Sequence, residues 1–457
     1  MDRRTLIPLI MSSALLMQNL DSTAIVTALP LIAGALGETP VRLHMLMTAY
    51  MLAFAACLPL SGWLADRFGS RQIFRLSLII FVVSSVMCGF ANSFEQLILF
   101  RVVQGMGGAM MVPVARLILV RSVSKAELVN AMILMSLPSF IGPVLGPVVG
   151  GFIATFFSWR WIFWMNVPVG LIGFVLVTRY IDDIRETNVR SFDWPGFLLI
   201  SYGLGALVFG LDAVLTQRAH DFVSLFLLIS GAIALVLYFL HARKSDKPIL
   251  DLALMRVNTF RISITTGSIF RIGIGANPFL LPMMMQVGFG YSPFQSGLIT
   301  CMSSIGALFM RSASKRLLMW LGFRNVLVWN GLISGLMLAG CGLFQPDTPH
   351  LIMVAVVFSG GLFRSLQFTS LNAIAFADLE SSQMSHATTF QQMSQRLSMS
   401  AGIAFSATIL HTMTPEGGTI PLSAFAWAFF IIGTLSAISS LGFARLTPDA
   451  GGELAGR

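Results

Sequence analysis

Charge is scarce in this chain. Asp, Glu, Lys and Arg make up 11% of 457 residues while hydrophobic types make up 56%, and mean hydropathy is +0.81. A water-soluble globule uses about a quarter charged residues, so that class is excluded. The four cysteines, Cys57, Cys88, Cys301 and Cys341, all fall inside apolar runs. Their spacing fits neither a disulfide framework nor a metal site, and they read as small core residues. No histidine lies near the middle of an apolar run, and no nucleophile–base pair or paired carboxylates appear. The chain is therefore not read as an enzyme, and no metal or cofactor is expected. A nucleotide-binding loop is also missing, so ATP is not expected as direct energy source. Strands alternating polar and apolar residues are absent, which leaves helices to satisfy the backbone in lipid.

What is present is a series of apolar runs, each near the roughly 20 residues that cross a hydrocarbon core. They fall near 6–34, 43–65, 73–92, 96–119, 128–156, 161–181, 194–215, 221–241, 259–286, 294–313, 324–344, 350–376, 384–412 and 423–445, fourteen in all. The net charge of +9 could suggest nucleic acid as partner, but the cations are spread over short connectors. Starting inside, 21 of the 29 Lys and Arg flank the cytoplasmic ends, three lie outside (Arg42, Arg160, Arg218) and five within spans (Arg101, Arg116, Arg271, Arg364, Arg396). This asymmetry predicts both termini in the cytoplasm and the bilayer, not nucleic acid, as the surrounding partner. The N-terminal run is too long for a cleavable signal and carries Asp21, so it reads as a retained first helix.

Between the second and third runs stands GWLADRFGSRQIFR, Gly62 to Arg75, with Asp66, Arg67, Gly69 and Arg71 closely spaced. The stretch reads as a cytoplasmic connector. Its pattern closely resembles the signature between helices 2 and 3 of the major facilitator superfamily. The resemblance implies a gating role for Gly62, Asp66, Arg67, Gly69 and Arg71, with Asp66 pairing to cations across helix ends on the cytoplasmic side.

Four further motifs follow: Leu20-Asp21-Ser22-Thr23 through Pro30; Arg101 to Pro113; Gly142-Pro143-x-x-Gly146-Pro147-x-x-Gly150-Gly151; and Trp159-Arg160-Trp161-Ile162-Phe163-x-x-Asn166-x-Pro168-x-Gly170. Together they resemble the fourteen-helix drug:proton antiporters of the EmrB/QacA type, and within these the branch of MdtD and HsrA. The resemblance spans essentially the whole chain. It implies an all-α polytopic membrane protein of the major facilitator fold, with two six-helix bundles plus two inserted helices. The domains are then 1–181, 182–258 for a polar linker (Asp182, Asp183, Arg185, Glu186, Arg190) and the inserted pair, and 259–457. Phe100-Arg101-x-x-Gln104 recurs as Phe363-Arg364-x-x-Gln367, as expected of pseudo-repeats.

A charge in hydrocarbon costs at least about 2.5–3.5 kcal/mol, so each intramembrane charge is a functional candidate. Of the twenty acidic residues, only Asp21 lies deep in a span. If protons drive the protein, Asp21 carries them. At 1.5 Å per residue it lies about 22 Å from the cytoplasmic end of its helix, and Arg101 about 8 Å from the outer end of its own, so the depths match and the two can pair. Gln104 shares the Arg101 face and would line a cavity. A permanent structural ion pair is the alternative. Gly142, Gly146 and Gly150 recur every four residues and strip one helix face for close packing, with Pro143, Pro147 and Gly151 in the same run. The resemblance implies that this motif marks antiporters.

Arg271, Arg364 and Arg396 lie about 16, 21 and 18 Å deep in the second half, where no carboxylate can pair with them. They suggest a cationic pocket for an organic anion, such as a carboxylate metabolite or its metal complex, with Asn277 and Gln367 nearby. The opposing reading has Gln367, Gln391, Gln392, Asn372 and backbone carbonyls satisfying the arginines. The twenty-six methionines read as core filler or as adaptable cavity wall. The expected function is a proton-coupled exporter of small organic molecules in the bacterial inner membrane, acting as a monomer. A multidrug exporter of cationic or neutral compounds, and a sensor or scaffold without transport, are the alternatives.

Overall fold

The computed structural model describes residues 3–123, 127–183, 185, 191–215, 221–245, 248–380, 383–415 and 418–455. Every regular element among them is helical. Glu186, Arg190 and Arg218 lie outside the described residues.

Among the described residues, fourteen long helical passes appear. The first, α1, is Arg3–Ala24 continued through a 3-10 stretch, Ile25–Ala28, into Leu29–Leu36. Pro30 lacks an N–H and crowds the preceding turn, which accounts for the tightening there. Then come α2 (His44–Phe68), α3 (Ser70–Phe90), α4 (Phe94–Ser122), α5 (Leu128–Phe156), α6 (Asn166–Tyr180), α7 (Trp194–Leu215) and α8 (Asp221–Lys244). The later passes are α9 (Asn258–Gly275, extended by Asn277–Met283), α10 (Pro293–Leu321), α11 (Gly331–Gly340 with the turns before and after it), α12 (His350–Ile374), α13 (Met384–Thr412) and α14 (Leu422–Ser440). Ser93 opens α4 by accepting from Gln96 N, and Ser292 opens α10 with Gln295 in a capping box, so sequence punctuation sets both starts.

Eleven passes are long and apolar enough to cross a bilayer on length and composition. The other three, α9, α10 and α13, carry polar faces: α13 holds Gln391, Gln392, Gln395 and Arg396 within two turns. A helix whose polar face is turned toward protein rather than lipid has a lower mean hydropathy than its role suggests.

The chain forms two compact units, Met1–Thr39 with Met45–Ile249, and Pro40–His44 with Leu250–Arg457. In the first, α1 packs along α5, α3 packs on α4 and α6, and α7 pairs with α8. In the second, α10 packs on α12, α11 on α14, and α9 on α13 and α14. The α7–α8 pair is largely bare of protein, with Leu198, Leu211, Phe222, Phe226 and Ile233 exposed, as lipid-facing helices are. An aromatic knuckle joins it to the end of α2: Trp63 lies 5.4 Å from Phe192 and 5.6 Å from Trp194, ring centre to ring centre.

The stretch 62–75, expected as a connector, is instead almost wholly helical. Gly69 N still donates to Ala65 O at 3.0 Å, and Ile73 N donates to Gly69 O at 3.1 Å. Gly69 alone breaks the path, with φ of 101°, a conformation that favours glycine.

Candidate functional site

The first unit buries one ion pair in its centre. Asp21 on α1 is 0% exposed and Arg101 on α4 is 1% exposed. Arg101 Nη1 donates to Asp21 Oδ2 at 2.6 Å and to Gln104 Oε1 at 2.6 Å. Gln104 Nε2 donates to Asp21 Oδ1 at 2.8 Å and to Ser85 Oγ on α3 at 2.7 Å. Asn166, the first residue of α6, completes the cage: its Nδ2 donates to Asp21 Oδ1 at 2.8 Å and to Ser85 Oγ at 3.2 Å. The guanidinium also lies 4.4 Å from the Tyr50 ring centre, a favourable cation–π placement. Donors from two helices, α4 and α6, thus meet the carboxylate of α1, and Ser85 of α3 braces both amides.

The two-sided grip on Asp21 follows from helix geometry. Arg101 and Gln104 are three residues apart and therefore share a face of α4. Of the cage, the expected residues Asp21, Arg101 and Gln104 come together, and Gln104 belongs to the carboxylate's shell. Ser85 and Asn166 are additional. Ser85 has only the polar pair Ser84-Ser85 in an apolar run to mark it, and Asn166 sits in the Trp159–Gly170 motif without an obvious partner in sequence.

The glycines of α5 lie against the segment of α1 that bears Asp21. A Cβ on Gly142 would come 2.6 Å from Asn19 Cβ, one on Gly146 would overlap Thr23 Oγ1, and one on Gly150 would overlap Ala24 O. Thr23 Oγ1 donates to Gly142 O at 3.3 Å, which ties the two helices at this point. Pro147 and Gly151 are buried, and Pro143 is half-buried.

At the far ends of α2 and α3, Asp66 Oδ1 accepts from Arg121 Nη2 at 2.9 Å, joining α2 to the last turn of α4. Arg71 donates to Thr178 O on α6. Arg67 is exposed and stacks over Trp63, 5.3 Å from the ring centre. A side chain at Gly69 would overlap the Asp183 carboxylate, whereas Gly62 faces open space.

The second unit repeats the arginine–glutamine pattern with a different outcome. Gln367, 0% exposed, accepts from Asn330 Nδ2 at 2.9 Å and donates to Leu327 O at 2.8 Å, so it is engaged away from Arg364. Arg364 and Asn277 line one cavity between α9, α10, α11 and α12. Arg271 is 0% exposed. Its Nη2 donates to Asn372 Oδ1 at 3.3 Å, and its Nε and Nη1 have no partner among the described residues. Gln391 Nε2 donates to the same Asn372 oxygen at 3.2 Å. Arg396 is half-buried on α13.

Comparison with known proteins places this architecture. Residues 11–403 match the Major Facilitator Superfamily. A protein of Serratia proteamaculans (strain 568) bearing the name multidrug resistance protein MdtD is 35% identical over 442 residues, covering 95% of this chain and 91% of the relative. Its namesake in Salmonella typhimurium (strain LT2) is 36% identical over 444 residues, with 95% and 93% coverage. Among solved structures, a POT family transporter in complex with 5-aminolevulinic acid superposes with a TM-score of 0.72 at 13% identity, covering 96% of this chain and 94% of that one. A D-xylose-proton symporter gives 0.67 at 14%, with 98% coverage of both chains. At such identities these two speak for the fold alone. Fourteen long helical passes among the described residues, eleven of them apolar enough to span a bilayer, a caged buried carboxylate and relatives along almost the whole length give one conclusion: the chain belongs to the Major Facilitator Superfamily and is a multi-pass membrane transporter.

Proposed function

We propose that the protein is a proton-coupled exporter of small organic molecules, working by alternating access in the bacterial inner membrane as a monomer with both termini in the cytoplasm. The observation that carries the reading is the Asp21 cage. Each group within hydrogen-bonding distance of the carboxylate presents an N–H: Arg101, Gln104 and Asn166. A carboxylate suits three donors, whereas a protonated carboxyl would turn an O–H toward one of them. Taking up a proton therefore requires at least one contact to open, which couples the proton to a rearrangement of α1, α4 and α6. The gating role of Asp66 fits the same scheme, since its partner Arg121 ends the helix that carries Arg101.

Asp21→Asn tests this directly. In proteoliposomes under an imposed pH gradient, the variant should fold and insert but fail to drive uphill transport. Undiminished uphill transport would remove Asp21 from the proton path.

As to cargo, an organic anion, free or as a metal complex, is favoured by one observation. The long helices of the second unit, α9 to α14, contain Arg271, Arg364 and Arg396 but no acid; between Asn258 and Gln345 there is neither Asp nor Glu. Exporters of lipophilic cations would be served better by intramembrane acids. Export of cationic or neutral compounds, as the name of the relatives suggests, is the competing reading. Transport of dyes and of carboxylates by the purified protein separates them.

A further inference from the structure

The second unit holds a guanidinium with no counter-charge. Arg364 makes no hydrogen bond or ion pair with any described residue. Arg364 is half-buried, an arginine cannot shed its proton, and a charge drawn partly out of water without a partner is costly. The cavity it lines has the other parts of an anion site. Ser303 on α10 and Ser334 on α11 are 5% and 3% exposed, line the same space and have no hydrogen-bond partner among the described residues. Asn277 on α9 is there too, with its Oδ1 buried and unpartnered, so that its amide is free to turn N–H groups inward. One cation and two hydroxyl donors therefore face a space from which sequence has removed every carboxylate.

Size narrows the occupant. The cavity measures about 30 Å³, room for a water or two and far below the roughly 300 Å³ or more of a drug-sized site. We infer that this cavity binds one compact monoanion on Arg364, with Ser303 and Ser334 as hydroxyl donors. Either a free halide or the carboxylate head of a larger organic anion has the required chemistry. The halide case stands apart from any reading of cargo or proton coupling, and the carboxylate case rests on the organic-anion reading above.

The test is binding, not transport, so it fails or succeeds independently of Asp21. The purified full-length protein in detergent is unfolded thermally in methanesulfonate buffer, with sodium bromide or sodium acetate exchanged in at constant ionic strength. A saturable stabilisation by bromide, with an anomalous scattering peak within hydrogen-bonding reach of Arg364 in bromide-soaked crystals, identifies a halide site. Stabilisation by acetate without bromide identifies a carboxylate site. Either response should vanish in Arg364→Gln. Should that variant not fold, the Ser303→Ala, Ser334→Ala double variant should weaken the apparent affinity about tenfold or more, the loss expected when hydrogen bonds to a charged group are removed. No response to either anion, or an equal response in the variants, overturns the proposal.

Discussion

Replacing Asn166 by leucine removes the α6 hand of the cage with little change of volume. Two hydrogen bonds go, to Asp21 Oδ1 at 2.8 Å and to Ser85 Oγ at 3.2 Å. Only the first is made to a charged group, and such a bond contributes about 1.5–3 kcal/mol. The carboxylate stays buried when that donor goes, so the loss falls on the folded state. The variant's midpoint of thermal unfolding in detergent should therefore drop clearly below that of wild type. Gln104→Leu should lower it as well, because Gln104 donates to the same oxygen and to Ser85 Oγ. The measurement is thermal unfolding of the purified variants at one fixed pH, with insertion checked beforehand. Unchanged midpoints in both variants would show that the cage carries no such energy and would refute the reasoning.

Other substitutions probe the remaining parts. Gly146→Leu forces a side chain into Thr23 beside the Asp21 segment, and should either prevent insertion or leave the pH gradient leaking, measured with an entrapped pH dye; full coupling would show that α1 and α5 can part there freely. Asp66→Ala removes the contact from Arg121 Nη2 and should change turnover more than substrate affinity in detergent; a large loss of affinity with normal cycling would contradict a gating role. Gly69→Val meets both a φ of 101° and the Asp183 carboxylate, and a residue held in such a backbone region costs about 1–3 kcal/mol, so its midpoint of thermal unfolding should fall below that of wild type. Arg271→Gln should depress export of organic anions with expression unchanged; normal anion export would favour the cationic or neutral cargo.

The helices were legible because hydrocarbon demands a long apolar run, and such runs survive in sequence even where caps are weak. Asp21 was legible for the converse reason, since a lone acid in such a run needs a purpose. Its pairing with Arg101 could be anticipated from depth alone, because rise per residue is fixed. Asn166 and Ser85 were not, since amides and hydroxyls are common in membrane helices and nothing local marks the one that turns toward a distant carboxylate. The stretch 62–75 misled in a different way. Its polar composition suggested a loop, but Ala65 and Gly69 keep the helical hydrogen bonds going while the charged ends lie at the helix termini, and composition reports solvent rather than dihedral angles. The repeat of Arg101-x-x-Gln104 in Arg364-x-x-Gln367 hid a divergence as well. Without an acid on α9 to organise them, Gln367 turned to Asn330 and Leu327 instead.

The knuckle that joins α2 to α7 is also an optical instrument. Trp63 stands 5.6 Å from Trp194 with the ring planes at 83°, and Arg67 covers its other neighbourhood at 5.3 Å. Indole emission responds to the polarity and charge around the ring, and this ring lies one turn from the Asp66–Arg121 contact. Any movement of the α2 end that frees Asp66 must change what surrounds Trp63. The difference in emission between wild type and Trp63→Phe would therefore follow the Asp66 end of α2 in real time, without a label, during substrate addition or a pH jump.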